Sequence, residues 1–571
     1  MTPAPISTQA PAWPRRTAAA LAAVLTLVAP LPPAWAQVRL PSLGETSETD
    51  LGIADERRIG DAFMREGRRD PQFLDDPLLQ DYLDSLWRPL LAAARDQGHI
   101  GPELETALAW EAFLVLDRAV NAFALPGGYV GINLGLIAIT QSRDELASVL
   151  AHELAHVTQR HIARSIAPNS RASTLAAIAT ILGLVLASRG GNIDAANAAI
   201  MGGQGAAAQA QINYTRDFER EADRVGFGVL QGAGFAIGGQ ASMFERLDQA
   251  SRLNDSGGFA YLRTHPLTTD RIAEARNRTL VAGSGRLGPP MLHAIMAARS
   301  RVLMDPNPAN LRRLLGGTSS PVWTDRVQAA AMAGMAAQTL GDLPLALREL
   351  GEALRLAQSA PQREPAAEQT LVLLQAEALL AQGGSRGPRE ALDRMAMLRP
   401  GDGMPRSLLL LRSRAALAAW RQQPGPTEVA ELRRHHDAIL TWVVDHRADA
   451  AAWQLLADGN VALGQPLRAL RASAEARYAL GDLTGAVDRL RAAQARVRGG
   501  GGESFDFIEA SVIDARLRAI QEQRRQIALD MRGGRGAPRN DPSRPDPSPP
   551  EADAPQRPAP APTPPGEPTG G

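Results

Sequence analysis

Apolar residues in the first part of the chain recur at helical spacing, switch to the spacing of strands, and then return to helical spacing. "DERRIGDAFMREGRR" (Asp55–Arg69) and "DDPLLQDYLDSLWRPLLAAARDQG" (Asp75–Gly98) carry apolar side chains three and four apart, which predicts two amphipathic helices. The period changes after Gly98. "AWEAFLVLD" (Ala109–Asp117) and "NAFALPGGYVGINLG" (Asn121–Gly135) are rich in aromatic and β-branched residues, with Pro126, Gly127 and Gly128 between two halves of the second, as short strands joined by a turn would be. Proline cannot donate to a ladder, so Pro126 suits an edge strand with one side unpaired, at Asn121, Ala122, Phe123, Ala124 and Leu125.

Helical periodicity resumes near Ser142, where "SRDE" is a capping box, and predicts one helix to about Ser165. The uncharged run Ala172–Ser188 has 17 residues. That is short for a span of about 20 residues, and its Ala, Thr and Gly content suits a buried or cleft-lining helix, with a membrane span as the alternative. Gly190–Gln211 reads as a mobile loop, and a further helix is expected over roughly Tyr214–Gln231.

Past about residue 300 the chain becomes Ala- and Leu-rich and repeats itself. "GDLPLALRELGEAL" from Gly341 matches "GDLTGAVDRLRAAQ" from Gly481 in register, with Ala346, Leu350 and Ala353 answering Ala486, Leu490 and Ala493. The offset of 140 residues is about four periods of a 34-residue helical hairpin. "REALDRMAMLRP" (Arg389–Pro400) and "LGQPLRALRAS" (Leu463–Ser473) are weaker echoes. Stacked pairs of this kind build a concave surface for extended partners; a plain helical bundle is the alternative. From residue 532 the chain is rich in Pro, Gly and Asp, and disorder is expected.

The N-terminus has the form of an export signal: Arg15 and Arg16, an apolar run from Thr17 to about Pro30, and "AWA" at Ala34–Ala36, with cleavage expected after Ala36. The expected divisions are 1–36, a domain with a small sheet over 37–285, a helical repeat domain over 286–531 and a tail over 532–571. There is no cysteine, which excludes a disulfide framework and a lipid-modified N-terminal cysteine. The 61 basic side chains, all Arg, balance 61 acidic ones, which argues against a nucleic-acid binder.

The sharpest chemical signal is "SVLAHELAHVTQRH" (Ser148–His161). His152 and His156 stand four apart, so on a helix they project from one side and can share an ion. On a wheel of about 100° per residue, Glu153 falls in line with Leu146, Leu150 and Val157, the stripe that turns to the core. A lone carboxylate there is costly unless something compensates it. Zinc would, because it draws the pKa of water toward about 7 and lets Glu153 take a proton as water attacks a peptide carbonyl. His161 comes about 140° round from His156 on the same wheel, which suits a surface position or one behind a ligand.

A catalytic zinc needs a third protein ligand and one open position. "DFEREADRVGFGVL" (Asp217–Leu230) offers two acidic pairs. Asp217 and Glu221 share a face with Arg224, as solvated, ion-paired charges do. Glu219 and Asp223 share theirs with Ala222, Gly226 and Leu230, a face that turns inward. Glu219 is therefore the candidate ligand and Asp223 the candidate partner of a ligating histidine.

The blocks "HELAHVTQRH", "NAFALPGGYV", "FEREADRVGF" and "THPLTTDRI" resemble the signatures of the HtpX and CAAX-protease superfamily of zinc metallopeptidases. Within it the chain is most similar to the BepA-like periplasmic branch, which joins such a protease to tetratricopeptide repeats. The resemblance covers roughly residues 45–280 closely and the remainder more loosely. It implies a mainly α protein: a zincin-like α+β metalloprotease domain with a small sheet, followed by an α-helical tetratricopeptide-like repeat domain. It implies one zinc per chain on His152, His156 and Glu219, Glu153 as base and Asp223 orienting a ligand. It also implies that His265 of the "THP" block can occupy the open position and keep the enzyme latent, with Arg271 beside it. The edge strand Asn121–Leu125 would then bind substrate backbone by strand addition. The implied function is periplasmic zinc endoproteolysis in envelope protein quality control. Its partners would be unfolded or misfolded envelope polypeptides, outer-membrane proteins among them, and the outer-membrane β-barrel assembly machinery, docked on the repeats. Peripheral membrane association is a further option. The alternatives are a chaperone-like scaffold with a latent site, and a protease anchored in the inner membrane through Ala172–Ser188.

Overall fold

The computed structural model describes residues 51–165, 205–253, 260–283, 285, 287–384, 386–399, 403–498 and 507–533, with backbone alone at 205–215, 253 and 530–533. The export signal, the run Ala172–Ser188 and the tail beyond residue 533 lie outside the described residues. Among the described residues no helix is long and apolar enough to cross a membrane.

The two leading helices form as their periodicity requires: α1 is Ile53–Gly67 and α2 is Pro77–Asp96. Asp76 starts α2 by accepting a hydrogen bond from Leu79 N at 2.9 Å, with Pro77 at the first helical position. Strand β1 (Phe73–Leu74) lies between them, and the short α3 (Pro102–Ala107) follows. Then come β2 (Glu111–Val115), β3 (Ala122–Leu125) and β4 (Tyr129–Asn133), leading directly into α4 (Leu134–Ile139). The sheet order is β1-β2-β4-β3, with β2 and β4 parallel and the other pairs antiparallel.

Strand β3 is thus an edge. Pro126 sits just beyond it, in the turn to β4, where Gly127 and Gly128 take φ of 85° and 86°. Phe113 and Phe123 both register with Gly131, and their rings meet edge to face with centroids 6.0 Å apart. A Cβ on Gly131 would lie 2.4 Å from Phe123 Cζ, so this row of the sheet requires glycine.

The long predicted helix is two. Helix α5 (Arg143–Thr158) starts at Ser142, whose hydroxyl accepts from Glu145 N at 3.2 Å. It ends where Arg160 turns to φ 53°, and α6 (His161–Ser165) starts anew. The break is held from outside: Arg160 Nε donates to Glu56 of α1 at 2.7 Å, and its Nη2 reaches Leu51 O. Helix α7 (Gly205–Gly232) starts earlier than its acidic pattern suggested, taking in residues 205–211 that had read as loop. Alanine has the strongest intrinsic helix preference, and "GAAAQA" supplies it. Helices α8 (Gly238–Leu253), α9 (Ala260–Thr264) and α10 (Thr269–Ala282) complete this half.

Helix α11 (Met291–Met304) packs on α4, and His293 on it bridges Tyr82 Oη (2.6 Å) and Thr140 O (3.0 Å). After α12 (Pro308–Leu314) the helices pack as successive neighbours: α13 (Trp323–Thr339), α14 (Leu343–Ser359), α15 (Pro365–Gln382), α16 (Arg386–Ala396) and α17 (Arg406–Gln422). The series continues through α18 (Pro426–Asp445), α19 (Ala450–Ala462), α20 (Pro466–Ala479), α21 (Leu483–Arg498) and α22 (Phe507–Gly533). Ala346, Leu350 and Ala353 are fully buried, as are Ala486, Leu490 and Ala493, so the two matched segments bury the same stripe. One apolar core runs without interruption from Leu78 in α2 to Ala419 in α17, across residue 285. Arg299 of α11 reinforces it, donating to Asp76 (2.7 Å) and Glu377 (2.8 Å).

Candidate metal centre

Helix α5 is buried almost all round, against α2, β3, α7 and α8. It meets α7 at close range: a Cβ on Gly226 would lie 3.0 Å from Ala151 O. That contact sets Glu219 and Asp223 of α7 opposite His152 and His156. Helix α9 is tied to the loop just before β3 by Tyr261 N, which donates to Val120 O at 3.1 Å, and delivers His265 to the same place.

One ligand atom each from His152, His156, Glu219 and His265 lie within 4.8 Å of one another. His152 Nε2 is 3.0 Å from His156 Nε2 and 3.4 Å from Glu219 Oε2, and His156 Nε2 is 3.5 Å from Glu219 Oε1. His265 Nδ1 lies 3.0 Å from Glu219 Oε1 and 3.4 Å from His152 Nε2. Donors around a tetrahedral zinc with bonds of about 2.0–2.1 Å stand about 3.3 Å apart.

Glu153 is fully buried, and neither carboxylate oxygen has a hydrogen-bond partner among the described residues; its Oε1 lies 3.5 Å from His265 Nε2. Such a pair of orphaned oxygens beside three imidazoles calls for a compensating cation or a proton donor. The donor set therefore fits zinc.

Around these residues stands a second ring. Asp223 Oδ1 lies 3.1 Å from His152 Nδ1. Burial acts to raise the Asp223 carboxyl, but bonds from Arg271 and the nearby His152 outweigh it and hold it at about 2. Glu219 follows the same pattern: burial opposes its charge, while His265, His152 and His156 hold it well below the ordinary carboxylate range. Both are anions.

His161 is buried rather than on the surface. Its Nδ1 is 2.9 Å from His156 Nδ1 and its Nε2 is 3.1 Å from Glu221 Oε2. Of the two positions expected for it, it takes the one behind a ligand candidate, brought there by the break at Arg160. Burial, then the neighbouring His156, pushes the His161 imidazole down to about 4. Glu221 is correspondingly not a purely solvated charge, since it takes both His161 and Arg164; Asp217 is exposed as expected. Sequence reasoning also missed Tyr261, whose ring stacks on His265 at 4.5 Å, and it left Arg271 without a role. Arg271 binds Asp223 and Glu219 together. The edge residues Asn121, Ala122, Phe123 and Leu125 are buried, Ala124 is partly so, and β3 packs on α5 beside the cluster.

Comparison with known proteins agrees with this chemistry. A family model described as Peptidase family M48 matches residues 91–279. The beta-barrel assembly-enhancing protease of Yersinia pestis is 31% identical over 502 residues, which cover 86% of this chain and 94% of that relative. The chain belongs to peptidase family M48. Another M48 relative, the beta-barrel assembly-enhancing protease of Escherichia coli K12, is 29% identical over 493 residues, covering 85% of this chain and 92% of its own length. The putative beta-barrel assembly-enhancing protease of Vibrio cholerae is 40% identical over 280 residues, 48% of this chain, and the match spans only about half of that relative, 55%. As an M48 metallopeptidase the chain uses zinc, and the cluster of three histidines and Glu219 is a group able to hold it.

Proposed function

We propose that the chain is a periplasmic zinc endopeptidase of envelope protein quality control, in which His152, His156 and Glu219 hold the metal and Glu153 is the general base. The observation that carries this reading is the fully buried Glu153, with both oxygens unpartnered, beside the cluster. Zinc held there would polarise a peptide carbonyl and acidify water. Glu153 accepts the proton that water gives up and returns it to the leaving nitrogen. Asp223, 3.1 Å from His152 Nδ1, would accept a hydrogen bond from that N–H and so keep the Nε2 lone pair free to ligate. Arg271 neutralises Asp223 and Glu219 so that two buried carboxylates can stay charged.

The outer side of β3 has no strand partner among the described residues, which supports backbone pairing with an extended polypeptide. Stretched or unfolded chains are the class of substrate such an edge accepts. The names of the Yersinia and Escherichia relatives support β-barrel outer-membrane proteins and their assembly machinery as substrates and partners, docked on tetratricopeptide-like hairpins. The export signal at 1–36 supports the periplasm; release by osmotic shock without detergent tests it. Zinc quantification on the purified mature protein, with His152→Ala and Glu219→Gln, tests the site. About one zinc per chain is expected, lost in both variants. Less than stoichiometric metal in the parent would sink the reading.

His265 favours a second reading of the same site, a latent protease whose helices also serve as a chaperone-like scaffold. Its Nδ1 stands among the ligand atoms, where a substrate oxygen would otherwise come. Faster casein cleavage by His265→Ala supports latency; equal or slower cleavage removes it.

A further inference from the structure

A ligating imidazole works only if its other nitrogen is fixed, and the two histidines of α5 are treated differently. Asp223 stands at Nδ1 of His152, whereas the Nδ1 of His156 faces another imidazole, His161 Nδ1, at 2.9 Å. At that separation one ring nitrogen donates and the other accepts. The far nitrogen of His161 decides which. Its Nε2 is 3.1 Å from Glu221 Oε2, and an ionised carboxylate only accepts. The hydrogen-bond network therefore assigns the His161 proton to Nε2, leaving its Nδ1 to accept from His156 Nδ1. His156 Nε2 is then a bare lone pair turned into the cluster, 3.0 Å from His152 Nε2 and 3.5 Å from Glu219 Oε1.

The arrangement is built rather than incidental. The His161 ring stacks on Phe218 with centroids 4.3 Å apart and planes 14° apart. Arg164 pins the carboxylate, its Nη1 donating to Glu221 Oε2 at 2.9 Å, and lies over the Phe218 ring. The turn at Arg160 is what brings His161 back onto His156 instead of carrying it away along α5.

We propose that His161, oriented by Glu221, is a positioning residue that fixes the tautomer and ring plane of His156 for metal binding. This rests on the metal-site reading above, and the experiment separates the two. Zinc Kd of the full-length mature protein is measured by competition with a chelator, beside thermal unfolding of the chelated protein. His161→Leu keeps bulk against Phe218 but removes the acceptor, and its Kd should rise about 10–100-fold. His161→Asn offers Oδ1 where Nδ1 stood and should recover most of that loss. The visible absorption of the cobalt-substituted protein should shift in the Leu variant and return toward the parent in the Asn variant.

Unchanged zinc Kd in His161→Leu overturns the assignment. So does equal weakening in Leu and Asn variants, which would mark mere packing against Phe218. Should His161→Leu fail to fold, Glu221→Ala decides, because that side chain is 27% exposed and its loss leaves the core intact: a raised Kd supports the role and an unchanged Kd refutes it. His152→Ala is the control. Parent-like zinc binding in that variant sinks the metal site itself, whereas parent-like binding in the His161 and Glu221 variants alone sinks only the positioning role.

Discussion

Arg271 grips Asp223 through two parallel hydrogen bonds, Nε to Oδ2 at 2.6 Å and Nη2 to Oδ1 at 2.8 Å. Its Nη1 lies 2.9 Å from Glu219 Oε2, and the guanidinium faces the Phe244 ring with its carbon 5.1 Å from the centroid. A planar fork is what this geometry uses, and lysine cannot reproduce it. Arg271→Lys should therefore weaken zinc binding about 10–100-fold, read by chelator competition. Arg271→Met removes the one guanidinium that binds both buried carboxylates and should cost about 3–5 kcal/mol in urea unfolding.

Glu153→Gln keeps the shape of the side chain and removes its basicity. Casein cleavage should fall about 10²–10⁴-fold, the usual worth of a general base, while the zinc content stays at the parent level. Full activity in this variant would show that the proton goes elsewhere.

Gly226 is the point at which α7 touches the α5 backbone. A Cβ there meets Ala151 O at 3.0 Å and His152 N at 3.1 Å. Gly226→Val should push the helices apart, cost about 1–3 kcal/mol as overpacking does, and weaken zinc binding because Glu219 retreats from the two imidazoles. Calorimetry and chelator competition read the two effects separately.

Glu145 supplies a pH dependence away from the metal. Burial acts to raise its carboxyl, but bonds from Arg246, Gln141 N and Ser242 bring it below its ordinary value of 4.5. A carboxyl depressed in the folded state contributes stability that is fully present above about 4.5 and lost as pH falls through the folded value. Glu145→Gln should lose about 1.5–3 kcal/mol at pH 7. In urea melts the gap to the parent should narrow as pH drops below 4.5.

The centre was legible where helical geometry alone decides neighbours. His152 and His156 share a face by counting, and Glu219 and Asp223 turn inward because Ala222, Gly226 and Leu230 do. The repeat match that set Ala346, Leu350 and Ala353 against Ala486, Leu490 and Ala493 falls on residues that are all buried. Helical counting left two positions open for His161, because the turn at Arg160 is held by Glu56 and Leu51 O from a remote part of the chain, and a helical wheel carries no such information. The role of Arg271 was hidden for a similar reason: a single arginine in a polar helix looks solvated until the fold brings two carboxylates to it. Strand β1, two residues long, exists only through its pairing with β2 and has no period of its own. Helices α3 and α4, six residues each, are likewise too short to show one.

The uninterrupted apolar core from α2 to α17 has a mechanical meaning. Severing the chain at residue 285 would strip α11 from α4 and leave Asp76 without its arginine, baring a broad greasy flank. The helical series thus shares its interior with α5, and a protein that clamps those helices bears on the same packed interior that carries the two histidines.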